Sequence, residues 1–177
     1  MKVLLIIGSK REKSFNRKLS LFAKEYLEEN GVSCSFLNFE NLPFFSEDLE
    51  NPELESIKTI RGEIKEADAL WFFSPEYNHS YPGYLKNLID WLSRKCGSES
   101  AISGKICAIS GIGGRGKTGE ALKKLTELLS FVQAEVITPA EGFAANPEAF
   151  KGEDLSVSLE DIGRLKNEAD SLIRRLS

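Results

Sequence analysis

The sequence predicts one doubly wound α/β domain, a five-stranded parallel sheet with helices on both faces. Three observations carry this. Five short aliphatic runs, each fit for a strand buried on both faces, are spread along the 177 residues. Segments with apolar residues at helical spacing separate them, and parallel neighbours need such crossovers, which are right-handed. Finally, 41% hydrophobic and 28% charged residues, 14 Gly and only 6 Pro describe an ordinary globular chain able to build a full core.

The first strand is Lys2 to Ile7, ended by Gly8. A helix follows from Asn16 to Asn30, with Leu19, Leu21, Phe22, Ala23, Tyr26 and Leu27 at helical spacing and Asn30-Gly31 as its stop. Residues Ser33 to Phe39 read as the second strand, Asn41 to Pro52 as a surface excursion, and Leu54 to Glu66 as a helix. Ala69 to Phe73 is the third strand, and a helix from about Pro82 carries the stripe Leu85, Leu88, Ile89 and Leu92. Ile106 to Ser110 is the fourth strand, with a glycine-rich loop, Gly111 to Gly119, opening a helix that runs to about Ser130. Ala134 to Thr138 is the fifth strand, and Pro139 to Ser156 reads as irregular. The closing helix, Leu159 to Leu176, sets Leu159, Ile162, Leu165, Ala169, Leu172 and Ile173 on one face.

Charge and cysteine usage narrow the function. Lys plus Arg is 23 against 27 for Asp plus Glu, a net charge of -4, so no basic field exists to capture nucleic acid or anionic lipid. A single histidine, His79, and three cysteines without a C-x-x-C pair (Cys34, Cys96, Cys107) lack the ligand sets of a metal site. Reduced thiols, no signal-peptide pattern and no run of about 20 apolar residues place the expected protein in the cytoplasm, away from membranes.

Ligands of such sheets sit beyond the carboxyl ends of the strands, so the loops beginning at Gly8, Ser74 and Ser110 are expected to converge. The first, G-S-K-R-E-K-S-F-N, feeds a helix N-terminus that favours an anion, and Arg11 adds a planar cation suited to phosphate. It lacks G-x-G-x-x-G, so a terminal monophosphate fits it better than a dinucleotide pyrophosphate; a plain helix cap by Ser14 or Asn16 is the alternative. The second, S-P-E-Y-N-H-S-Y-P-G, is fixed by two prolines and can present backbone N–H groups and the faces of Tyr77 and Tyr81 to a planar ligand. His79 there is either a general base or an exposed loop residue. The third, G-I-G-G-R-G-K-T, satisfies the Walker A spacing, yet the strand ends W-F-F-S-P and V-I-T-P bring no aspartate to hold magnesium.

These segments, with P-E-Y-N-H-S-Y-P-G-Y-L-K-N-L-I-D-W-L-S continuing the second loop, make residues 2 to 138 resemble the NADPH-dependent FMN reductases. The resemblance implies a flavodoxin-like fold, bound FMN, NADPH or NADH as electron donor, and a homodimer or homotetramer. Hydride would pass by way of FMN to a small acceptor such as a quinone, an azo compound, a metal oxyanion or free flavin. It also implies that Ser9, Arg11, Ser14 and Asn16 hold the FMN phosphate with Phe15 beside them. Pro75, Glu76, Tyr77 and Asn78 would line the isoalloxazine, and Ser110, Gly111, Gly113, Gly114 and Arg115 would border its other side. No side chain is expected to act as a catalytic acid or base. Tyr84, Trp91 and Leu92, on the helix beside the cleft, are the expected contacts between subunits. The rival readings are a flavodoxin-type electron carrier and a P-loop ATPase built on Gly111 to Thr118.

Overall fold

A computed structural model describes every residue of the chain except Cys96 and Glu153. Cys96, read above as one of three reduced thiols, lies outside the described residues; Cys34 and Cys107 are free thiols. Six strands form one parallel sheet: β1 (Lys2–Ile7), β2 (Ser33–Phe36), β3 (Ala69–Phe73), β4 (Ile106–Gly113), β5 (Glu135–Val136) and β6 (Glu141–Ala144). The order is β2-β1-β3-β4-β5, with β6 also paired to β4, and this is the flavodoxin-like arrangement.

Five helices cover the sheet: α1 (Phe15–Glu29), α2 (Glu55–Glu66), α3 (Gly83–Leu92), α4 (Gly119–Phe131) and α5 (Leu159–Leu176). Alternation along the strands divides the core in two. Leu4, Ile6, Leu70, Phe72, Cys107 and Ile109 face α2, α3 and α4. Val3, Leu5, Trp71, Phe73 and Ala108 face α1 and α5.

Several expectations change against the structure: the second strand ends at Phe36 rather than Phe39, and Leu21 and Phe22 of α1 are exposed. The fifth strand is split, because Pro139 has no N–H to donate to the ladder. Glu135 and Val136 therefore pair with the start of β4, and Glu141–Ala144, expected to be irregular, pairs with its end. The fourth strand accordingly runs on through Gly111 and Gly113, which were read as loop. On the closing helix, Leu159 is 88% exposed and lies off the buried face.

The residues expected between subunits are also displaced. Trp91 and Leu92 are buried in the chain's own interior, and Tyr84 stacks on Phe39 with ring centroids 4.2 Å apart. Trp91 directs its Nε1–H to the Pro43 carbonyl at 2.9 Å, so its polar edge is satisfied within the chain.

Candidate functional site

The ends of β1, β3 and β4 are tied together before any loop begins. Gly8 donates to the Phe73 carbonyl and Ser74 to the Ser110 carbonyl, both at 2.9 Å. Gly8 has the Leu85 side chain, the Phe73 carbonyl and the Pro75 ring near where a Cβ would stand, so the first loop leaves the sheet close to the second. A cleft of about 340 Å³ opens above these ends, within the range of small-ligand sites.

One end of the cleft is built by the first loop. Ser14 caps α1, its Oγ accepting the Arg17 N–H at 3.4 Å, and Ser9 Oγ accepts the Arg11 N–H at 3.3 Å. Each hydroxyl thus uses a lone pair locally and keeps its own hydrogen to donate. No acidic residue occupies the first turn of α1, so its positive end is unneutralised. Arg11 is exposed, with no carboxylate partner among the described residues, and its guanidinium lies 4.9 Å from the Phe15 ring centroid. Asn16 lines the cleft, but its side chain is committed elsewhere. Its amide donates to the Ile112 carbonyl at 3.1 Å and its carbonyl accepts the Ile112 N–H at 3.0 Å, clamping α1 to β4.

The second loop supplies the opposite wall through Pro75, Glu76 and Tyr77. Tyr77 and Ser80 exchange backbone hydrogen bonds around Asn78 and His79, whose φ values are 51° and 57°. Two successive left-handed residues make a tight type I′-like turn, in which Asn is favoured. This turn carries Asn78 to its exposed tip, away from the residues that line the cleft. Glu76 Oε2 accepts the Ala121 N–H at 3.1 Å, so the carboxylate caps the first turn of α4 and joins the second loop to the third. The His79 ring is largely exposed, with Nδ1 3.8 Å from Glu76 Oε1.

The third loop contributes Ile112, Gly113, Gly114, Gly116, Lys117 and Thr118. Gly111 does not line the cleft; it is glycine because a Cβ there would press on the Ser74 carbonyl and Thr118. Ser110 is fully buried and turned into the interior, accepting the Trp71 indole N–H at 2.9 Å and donating to Glu168 Oε2 at 2.6 Å. Arg115 is exposed at the outside of the turn and does not line the cleft. Lys117 and Thr118 adopt left-handed backbone, and the Thr118 hydroxyl donates to the Lys117 carbonyl at 2.6 Å.

The cleft thus gathers Ser9, Arg11, Ser14, Phe15, Asn16, Pro75, Glu76, Tyr77, Gly113 and Gly114 from the expected set, and leaves out Asn78, Ser110, Gly111 and Arg115. Sequence reasoning did not place Ile112, Gly116, Lys117, Thr118 and Phe150 among the site residues, Gly116 to Thr118 having been read only as part of the Walker A spacing. Ile112 hides between two glycines read as loop. Phe150 sits in a 3-10 turn, Pro147–Lys151, within a stretch with no periodicity to read.

Comparison with known proteins identifies the family and the fold. The profile of NADPH-dependent FMN reductases matches residues 1–149. A quinone reductase of Pseudomonas putida is 34% identical over 171 residues, covering 93% of this chain and 84% of that protein. A 2-hydroxy-1,4-benzoquinone reductase of a Burkholderia species is 38% identical over 111 residues, which span 63% of this chain and 60% of that protein. Among solved structures, the flavoenzyme NAD(P)H:(acceptor) oxidoreductase FerB of Paracoccus denitrificans superposes with a TM-score of 0.86 at 29% identity, covering 99% of this chain and 96% of that one. By sequence, strand order and the placement of its loops, the chain belongs to the NADPH-dependent FMN reductase family.

Proposed function

We propose that this chain holds FMN in the cleft and uses it to pass electrons from NADPH or NADH to a small oxidised acceptor, a quinone first among the candidates. The observation that carries this is the polar end of the cleft. Two hydroxyls with free hydrogens, an unpaired guanidinium and an unneutralised helix N-terminus converge there. That donor set fits a phosphate monoester, where each charge-assisted bond is stronger than a neutral one.

When bound, FMN supplies the reversible two-electron chemistry that links a hydride donor to an acceptor. The protein's part is positional. Ser9, Arg11 and Ser14 fix the phosphate, and Pro75 and Tyr77 offer a wall against the flat ring system. Glu76 is occupied in capping α4, and His79 points to solvent, so neither is placed to move a proton at the ring. The cleft stays open enough for donor and acceptor to use it in turn. Among the described residues no helix is long and apolar enough to cross a membrane, and the acceptor is a small molecule met in the cytoplasm. Subunits associate as a homodimer or homotetramer, which sedimentation at micromolar concentration tests: a monomer there removes this part of the reading.

The decisive experiment is a visible spectrum of the purified protein followed by NADPH without oxygen. A flavin spectrum that bleaches, with steady NADPH oxidation once benzoquinone is added, is the expected result. FMN that binds but is reduced by nicotinamide only slowly would make the chain an electron carrier. Colourless protein that leaves the fluorescence of added FMN unchanged would end the flavin reading.

A further inference from the structure

The polar end of the cleft has an outer boundary made of aromatic rings. Phe15, the first residue of α1, meets Phe150 at a ring-centroid distance of 5.1 Å and an interplanar angle of 88°. Arg11 lies over the same Phe15 ring, so cation and rings form one cluster beside the anion-binding loop. Phe150 lines the cleft yet is 57% exposed, a large apolar side chain held at the rim of a polar pocket.

The segment that presents it is fastened on both sides. Before it, Ala145 donates to the Gly113 carbonyl at 2.8 Å, tying the strap to the end of β4. After it, Asp154 pairs with Lys18 of α1 at 2.8 Å. Across its base, Asn146 Oδ1 accepts the Ser156 N–H at 2.8 Å, and Ala149 is buried against the α1 and α5 side of the core.

Resting on the proposed FMN site, we infer that Phe150 is a specificity-determining wall that makes the cleft select flavin mononucleotide against flavin adenine dinucleotide. In the mononucleotide the phosphate is the end of the molecule, and it needs donors on one side only. The dinucleotide continues from that phosphate through a second phosphate to adenosine, and must leave the pocket past the donors. Ser9, Arg11 and Ser14 lie at that end, and Phe150 stands in the lining beside them. An apolar ring offers the second phosphate no hydrogen bond, and displacing it costs its contact with Phe15.

Titration of the flavin-free full-length protein with FMN and with FAD, read by quenching of flavin fluorescence, tests this. The expected result is FMN bound at least about tenfold tighter than FAD in the wild type. In Phe150→Ala that ratio should shrink by about tenfold, mainly through tighter FAD binding, and Phe150→Trp should keep it. Phe150→Ala leaving the ratio within about twofold, or weakening both flavins in parallel, overturns the assignment. Wild-type protein that binds FMN and FAD alike also removes the role of Phe150 while leaving the FMN reading intact. Binding of neither flavin overturns both.

Discussion

The hydroxyl of Ser110 receives the Trp71 indole hydrogen and gives its own to Glu168, and that chain of two bonds ties β3, β4 and α5 through the middle of the molecule. Burial raises the Glu168 carboxyl well above the ordinary carboxylate range; the Ser110 bond opposes this, while the neighbouring Glu141 charge adds to it and Arg164 subtracts. A native carboxyl with a raised pKa holds its proton more tightly than the unfolded chain does. Its contribution to stability is therefore full below the unfolded value of about 4.3 and is lost as the pH rises towards the folded one. Glu168→Gln carries no charge to bury, so its stability relative to wild type should improve by about 1 kcal/mol or more between pH 4 and pH 8 in urea unfolding. A difference independent of pH would show that the carboxyl ionises freely in the native state. At the cleft, Arg11 is exposed and bonded to no carboxylate among the described residues, so Arg11→Ala should leave the unfolding midpoint nearly unchanged while weakening FMN binding by about 1.5 to 3 kcal/mol. His79→Gln, by contrast, should leave NADPH-dependent turnover within about threefold, since its ring faces solvent. A loss of several orders of magnitude there would restore His79 to the chemistry.

Glycine has opposite meanings in two elements, and the difference can be measured. Gly142 in β6 lies so close to the Lys117 carbonyl that a Cβ would fall well inside contact distance, whereas Gly163 in α5 has nothing within 4 Å of where its Cβ would be. Gly142→Ala should therefore destabilise the fold by about 1 to 3 kcal/mol and disturb the Lys117–Thr118 turn that lines the cleft. Gly163→Ala should stabilise it by about 0.5 to 1 kcal/mol, because a helix interior favours alanine. Thermal unfolding of both variants checks the pair, and equal shifts of the same sign would contradict the packing described. The same contrast explains what the sequence made legible. β1, β3 and α5 were readable because continuous aliphatic runs and a helical stripe are local signals. β6, with the sequence E-G-F-A, is a strand only because the glycine-bearing end of β4 accepts it, which is a pairing between distant segments. In the site, the donors of the first loop could be named from their place at a strand end, but the commitment of Asn16 to Ile112 and of Glu76 to α4 depends on neighbours brought by the fold. Phe150 gave no local signal at all; contacts with distant residues, among them Ala145 to Gly113, Asp154 to Lys18 and its own ring to Phe15, bring it to the rim.

Among the described residues, three helices cover one face of the sheet, and α1 and α5 with the 3-10 turn at Ala149 cover the other. That asymmetry bears on whether residues 1–149, the stretch that matches the family profile, could stand without the closing helix. Leu165, Ala169 and Leu172 of α5 are almost fully buried and belong to the same cluster as Trp71, Phe73 and Ala108. Polar ties reinforce the contact, through Glu168 to Ser110 and through Arg164 to Glu141 at the start of β6. Burying each leucine is worth about 1.5 to 3 kcal/mol, so the two leucines alone approach the 5 to 15 kcal/mol by which a typical domain is stable. Removal of the helix would in addition uncover part of the Trp71 face, which α1 cannot cover by itself. Residues 1–177 should then unfold as one cooperative unit, and a chain ending at Ser158 should lose near-ultraviolet circular dichroism and be cut rapidly by protease at 25 °C. A truncated chain that keeps a sharp thermal transition and still binds FMN would instead make the closing helix an appendage to a core complete without it.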